Sequence, residues 1–226
     1  MNKLASSKFL LHKNVLILNK PLINLNIRHQ LDDIPDFRKK LLALYKQFYK
    51  LRNTIHNGHR LGPVSYHTIL RRNFQHIPFN ARRIAILLSS DISGETIDIL
   101  SESELIERMI NTLMFVFNST VRSTTDADIE PAVFFEDIKK TKADTFENSI
   151  ISTIIRMDGQ KPDEIKYDFK YSWVKPFDES IAKYDQHFID HPQSKKFKSK
   201  YPMTYIGFRQ YETTLMRLNE NLKLCL

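Results

Sequence analysis

The 226-residue sequence predicts a mainly all-α protein, a helical bundle whose Pro- and charge-rich C-terminal part is irregular and ends in a helix. Three observations predict it. Apolar residues recur at alternating steps of three and four along several segments, the period of a helix with one buried face. Capping and stop residues bracket those segments with short connections, which favours antiparallel neighbours. Five glycines are few for a turn-rich β-sandwich or a nucleotide-cradling α/β fold.

The first 31 residues carry Lys3, Lys8, Lys13, Lys20 and Arg28, with no acid before Asp32. A basic, acid-poor, Ser-containing and leucine-rich beginning reads as a mitochondrial presequence, which implies the matrix, or as a basic extension. A secretory signal fits less well, because Lys13 and Lys20 interrupt the apolar run. Residues 32–226 read as a single mostly helical domain: a basic three-helix part over 32–90, an acidic helical part over 91–157, and an irregular segment plus terminal helix over 158–226.

In the first helix Phe37, Leu41, Leu44, Phe48, Leu51 and Ile55 form the apolar stripe. Asp33 or Asp36 caps its start and Asn57-Gly58 ends it. Arg38, Lys39, Lys46, Lys50 and Arg52 lie off the stripe. Gly62-Pro63 makes a turn, and Ser65 caps a second helix, "YHTILRRNFQHI", with Tyr66, Ile69, Leu70 and Phe74 on one face. Pro78 closes it. Asn80 caps a third, "ARRIAILLSS", carrying Arg82 and Arg83. Ser101 to Glu104 opens a fourth, "ELIERMINTLMFVFNS", with acids in its first turn and Leu105, Met109, Leu113 and Phe117 buried.

Residues 124–129 read as a loop, and Pro131 suits the first position of one or two further helices. Ile150, Ile151, Ile154 and Ile155 fit helix or strand. Prolines and charges between Asp158 and Pro202 suggest irregular structure with short elements. The terminal helix, "FRQYETTLMRLNENLKLCL", places Phe208, Tyr211, Leu215, Leu218 and Leu222 along one side.

Charge is segregated along the chain. From Phe37 to Ser90 there are eleven Lys or Arg and no acid, while Asp91 to Glu147 holds thirteen acids against five basic residues. Either the basic segment folds against the acidic one, or it presents a field to a phosphate- or carboxylate-rich partner. Cys225 is the single cysteine, so an intramolecular disulfide and an all-Cys metal site are both impossible. No stretch approaches the ~18 apolar residues of a transmembrane helix.

No catalytic residue is expected, and the sequence reads as a non-enzyme with no cofactor. A Gly-rich phosphate loop is absent, and Cys225 lacks a nucleophile's surroundings. His187 and His191 in "HFIDH" share a helix face, but two ligands make no zinc site. Asp126, Asp128 and Glu130 alternate like the start of a calcium loop yet lack its glycine and closing Glu. "KKFKSK", Lys195 to Lys200, reads as a solvated loop or a basic patch for nucleic acid. His56, His59, His67 and His76 lie in the acid-free stretch, and none suggests catalysis.

The stretch from Phe37 to Ser89 resembles the Leu-Tyr-Arg family of small mitochondrial helical proteins, through "LYKQFYKLR" and through Arg71, Arg72 and Phe74 in "ILRRNFQHIPF". The resemblance implies a three-helix bundle that docks the acidic mitochondrial acyl carrier protein. It implies that Lys46, Lys50, Arg52, Arg71 and Arg72 contact the carrier, and that Leu44, Tyr45 and Phe74 line the region receiving the acyl chain. Lys46 stands where the motif has arginine, a point charge in place of a bidentate fork.

A second resemblance covers more of the chain. "LYKQFYKLR" together with "YETTLMRLNENL", residues Tyr211 to Leu222, is similar to the fungal family called increased recombination centers protein nineteen. It implies mitochondrial genome maintenance, respiratory growth and sporulation. Two functions compete: an adaptor docking an acidic protein partner on the basic helices, and a nucleic-acid binder of the mitochondrial nucleoid or ribosome with Tyr45, Phe48 and Tyr49 as stacking aromatics.

Overall fold

The structure, a computed structural model, describes residues 9–12, 15–18, 23, 26–55, 62–89, 97–120, 146–191 and 201–226. They form a mainly α-helical fold with one small hairpin. Strands β1 (Phe9–His12) and β2 (Val15–Leu18) pair antiparallel, with Phe9 opposite Leu18 and His12 opposite Val15. Nine helices follow: α1 (Ile27–Asp32), α2 (Phe37–Lys50), α3 (Gly62–His76), α4 (Phe79–Ser89), α5 (Glu102–Thr120), α6 (Phe146–Gln160), α7 (Asp163–Lys166), α8 (Val174–Asp190) and α9 (Tyr205–Leu222), counted among the described residues. Asn57-Gly58, the 124–129 loop and the Pro131 helix start lie outside them.

The chain divides into two compact units. Unit 1 comprises residues up to Arg71 together with Met109–Arg156, and unit 2 comprises Arg72–Arg108 together with Met157–Leu226.

In unit 1, α2 begins where its chemistry says it should. Asp36 is extended (φ −81°, ψ 120°), and its carboxylate accepts the backbone N–H of Arg38 at 2.7 Å and of Lys39 at 3.3 Å. Leu41, Leu44 and Phe48 of the expected stripe are buried, and the chain then tightens into a 3-10 turn over Leu51–Asn53, with Leu51 and Ile55 also buried. Thr54 closes that turn onto the Leu51 carbonyl through both its N–H and its hydroxyl. α3 packs on α2: the Tyr66 hydroxyl donates to the Phe48 carbonyl at 3.2 Å. The core of the unit also takes in Ile27 and Leu31 of α1, Met109, Leu113 and Val116 of α5, and Ile151 and Ile155 of α6. Phe117 is half-buried. The isoleucine cluster is therefore helical.

In unit 2, α3 stops at His76 because Pro78 disfavours α-helical geometry in the residue before it; Ile77 instead takes φ 44°. α4 starts at Phe79, so Asn80 lies inside the helix and its amide donates to the Leu100 carbonyl. The start of α5 is a capping box: the Ser101 hydroxyl accepts the Glu104 N–H at 3.3 Å, and the Glu104 carboxylate accepts the Ser101 N–H at 2.9 Å.

Over the described residues 158–191 the structure corrects the expectation of irregular chain in part: α7 is short, as expected, but a long helix follows it. α8 runs for 17 residues, and Pro176 sits in its first turn, where no intrahelical N–H is needed. α4 packs against both α8 and α9.

The face of α9 is also corrected. Its buried residues are Tyr205, Arg209, Glu212, Leu215, Met216 and Asn219, while Leu222 is exposed and Phe208, Tyr211 and Leu218 are half-buried. The helix ends on Lys223 in the left-handed region (φ 53°), with the Leu224 N–H closing on the Asn219 carbonyl at 2.9 Å. No helix among the described residues is long and apolar enough to cross a membrane.

Candidate functional site

The outward side of α2, in unit 1, is built from residues four apart. Arg38, Leu42, Lys46 and Lys50 fall on one row of the helix and all are exposed, with Lys39 exposed beside them. Leu42, at 53% exposure, is the apolar centre of this cationic row. Two features of the row oppose helix stability. Arg38 and Lys39 stand in a first turn that contains no acid, against the positive end of the macrodipole. Lys46 and Lys50 are like charges at i and i+4. Among the described residues, none of Arg38, Lys39, Lys46 or Lys50 makes an ion pair.

The expected contact residues separate by burial. Leu44 is fully buried. Tyr45 is half-buried, its hydroxyl 3.4 Å from His67 Nε2 and its ring stacked on Tyr49. Lys46 is exposed, and Lys50 reaches back to Gln47 at 3.2 Å. The Arg52 guanidinium lies 4.0 Å above the Tyr49 ring. Arg71, on α3, is exposed. Arg72 and Phe74 belong to unit 2; Phe74 is half-buried, and Arg72 turns inward onto Asp158 with its guanidinium 5.7 Å from the Tyr167 ring.

Sequence reasoning missed a buried charge network in unit 2. Glu212, 1% exposed, accepts Arg82 Nε at 2.7 Å and Lys161 Nζ at 2.5 Å. Arg82 also donates to the Leu226 carbonyl, which the Asn219 amide shares. Glu220 is held by Arg83 and Arg108, each through two nitrogens. Arg209 forks onto Asp178. Burial alone would raise the Glu212 and Glu220 carboxyls, but their cationic partners outweigh it and hold both below the ordinary range. The basic segment is thus neutralised in part by carboxylates of the C-terminal segment, Asp158, Glu212 and Glu220. The available signal was positional, since Arg209, Glu212 and Asn219 fall at helical spacing with Tyr205 and Met216.

The other sequence candidates resolve simply. The His187 and His191 rings are 5.1 Å apart, and among the described residues no group of three His, Cys, Asp or Glu side chains could hold a metal. His76 stacks on Phe169 at 3.7 Å. Burial pushes the Cys225 thiol up to about 12, which makes it a poor nucleophile. His56, His59, the Asp126–Glu130 triplet and the Lys195–Lys200 cluster lie outside the described residues.

Compared with known proteins, the chain matches a family model described as increased recombination centres protein 19, over residues 5–226. Curated proteins and solved structures give no significant match.

Proposed function

The chain belongs to the increased recombination centres protein 19 family, which ties it to recombination and genome maintenance, and from that premise we propose that it is a non-enzymatic mitochondrial adaptor docking an acidic protein on the outward row of α2. The observation that carries this reading is the contrast in how the cations are used. The buried arginines of unit 2 are matched to carboxylates, whereas Arg38, Lys39, Lys46 and Lys50 stand in water without an ion-pair partner among the described residues. Cations that weaken their own helix and make no ion pair among the described residues suit a partner's carboxylates, with Leu42 as a central apolar anchor.

The acyl carrier protein of mitochondria is the partner proposed, since its acidic helix complements the row and Leu44-Tyr45-Lys46 resembles the motif that docks it. A nucleic-acid role is less well supported. The Tyr45 and Tyr49 rings are stacked on one another, Tyr49 also meets the His67 edge and the Arg52 guanidinium, and Phe48 is buried, so these aromatics offer poor platforms for bases.

The test is retention of purified acyl carrier protein at low and high salt, with matched gel-shift assays on single-stranded and duplex probes. The protein should fractionate with the mitochondrial matrix and retain the carrier at low salt. Lys46→Glu with Arg71→Glu should weaken retention at least about tenfold, or ~1.4 kcal/mol. No retention at low salt, or retention indifferent to both charge reversals, rejects the reading; a gel shift with a steep salt slope moves the function to nucleic acid.

A further inference from the structure

We propose that unit 2 binds a phosphate group, as inorganic phosphate or a phosphomonoester, at a cluster formed by Arg72, Lys161, Tyr171 and Tyr211. The site is independent of the α2 surface, which lies in unit 1.

Charge balance is the first ground. Arg72 and Lys166 share Asp158, and Arg82 and Lys161 share Glu212, with a Leu226 oxygen also accepting from Arg82, so the cations here outnumber the side-chain carboxylates that hold them. All four cationic side chains are 15% exposed or less. A surplus of positive charge in so dry a setting favours an anion.

Unused donors are the second ground. Arg209 donates from Nε, Nη1 and Nη2, and Arg83 does the same. Arg72 differs: its Nη2 is on Asp158, while its Nη1 is buried with no hydrogen-bond partner. A buried guanidinium N–H without an acceptor is costly and calls for an explanation. Two phenols lie in the same electrostatic environment. Tyr171 is influenced by Glu212, Arg82, Arg72 and Asp158, and Tyr211 by Arg82, Glu212, Tyr171 and Asp158. Neither hydroxyl bonds to a described residue, and neither is a buried orphan, so both can turn to an incoming acceptor. Burial raises both phenols, so each keeps its proton and is a donor.

Tyr171 is held there by its backbone. It adopts φ 53°, a left-handed conformation disfavoured for an aromatic residue. Asp168 fixes the turn, accepting the Lys170 N–H at 3.1 Å, the Ser172 hydroxyl at 2.7 Å and the Trp173 N–H at 3.1 Å. Lys161 Nζ stands 5.6 Å from the Tyr171 ring centre. A guanidinium N–H, an ammonium and two phenol hydroxyls are the donor set a tetrahedral oxyanion accepts, and its charge offsets the surplus.

The experiment is calorimetric titration and thermal melting of the full chain with inorganic phosphate, and in a parallel arm phosphoserine, with sodium chloride holding ionic strength constant. Phosphate should bind saturably and raise Tm where chloride does not. Tyr171→Phe with Tyr211→Phe keeps both rings and should weaken binding at least tenfold; Arg72→Lys, which keeps the charge opposite Asp158, should also weaken it. The phosphoserine arm separates the two sources, because equal binding assigns a phosphomonoester and loss of binding assigns the free ion. Absence of a saturable signal in both arms overturns the proposal. Undiminished affinity in the folded variants, or affinity lost only with Lys46→Glu, overturns it too.

Discussion

Replacing Glu212 by Gln removes one charge and almost no volume, from a side chain only 2% exposed. Its two oxygens serve different cations, Arg82 Nε at 2.7 Å and Lys161 Nζ at 2.5 Å, whose side chains are each 10% exposed. An amide keeps one acceptor and turns its NH2 toward a cation, leaving an uncompensated charge in a dry site. Breaking a buried pair costs about 3–5 kcal/mol. At roughly 2–4 °C per kcal/mol for chains of this size, Tm should fall by about 6–20 °C.

Acidification supplies a second signature of the same carboxylate. Because the folded-state pKa of Glu212 lies below its ordinary 4.5, its contribution is present above that value and is lost as pH falls through the lowered one. The stability of the Gln variant should therefore depend less on pH in that window than that of the wild type. The assay is urea and thermal unfolding by circular dichroism across that pH range. A companion variant, Arg82→Met with Lys161→Met and Glu212→Leu, removes all three charges and should recover at least half of the loss. A Gln variant within about 1 kcal/mol of wild type, or a triple variant no more stable than the single, would refute the reasoning.

Two further outcomes are expected from local backbone chemistry. Asp36→Ala strips the cap from α2 and should lower stability by ~1 kcal/mol in urea unfolding, with a proportional drop in helix signal; an unchanged midpoint would show that the cap contributes nothing. Lys223→Gly relieves a left-handed residue at the end of α9 and should raise stability by about 0.5–1 kcal/mol, whereas a fall in Tm would show that the Lys223 side chain matters more than its backbone angle.

How legible each part was depended on whether polarity and burial ran together. In α2 they did: Leu41, Leu44 and Phe48 are buried and Arg38, Lys46 and Lys50 are wet, so the period alone located both faces. In α9 they did not. Leu215 aside, the buried positions carry Arg209, Glu212 and Asn219 alongside Tyr205 and Met216, and an apolar template shifts the face toward Phe208 and Leu222. Their partners Arg82 and Asp178 are distant in sequence, so nothing local announces the pairing. Pro176 misled for a related reason, since a proline marks a break only when its N–H is needed. The hairpin of β1 and β2 was hidden because short apolar runs among lysines read equally well as a targeting segment. The outward row of α2 was legible as a set of cations, and its four-residue spacing is in the sequence, but the exposure of Leu42 within it comes from the fold.

The order of synthesis follows from where these carboxylates sit. Arg82 and Glu212 are 130 residues apart, and Arg83 and Glu220 are 137 apart. At roughly 5–20 residues per second the ribosome delivers Glu212 some 6–26 s after Arg82. Until then Arg82 and Arg83 lack the carboxylates that hold them, so unit 2 cannot take its final charge pairing before its last helix is made. A message cut just upstream of the Glu212 codon would leave Arg82, Arg83 and Arg108 without the acids that hold them.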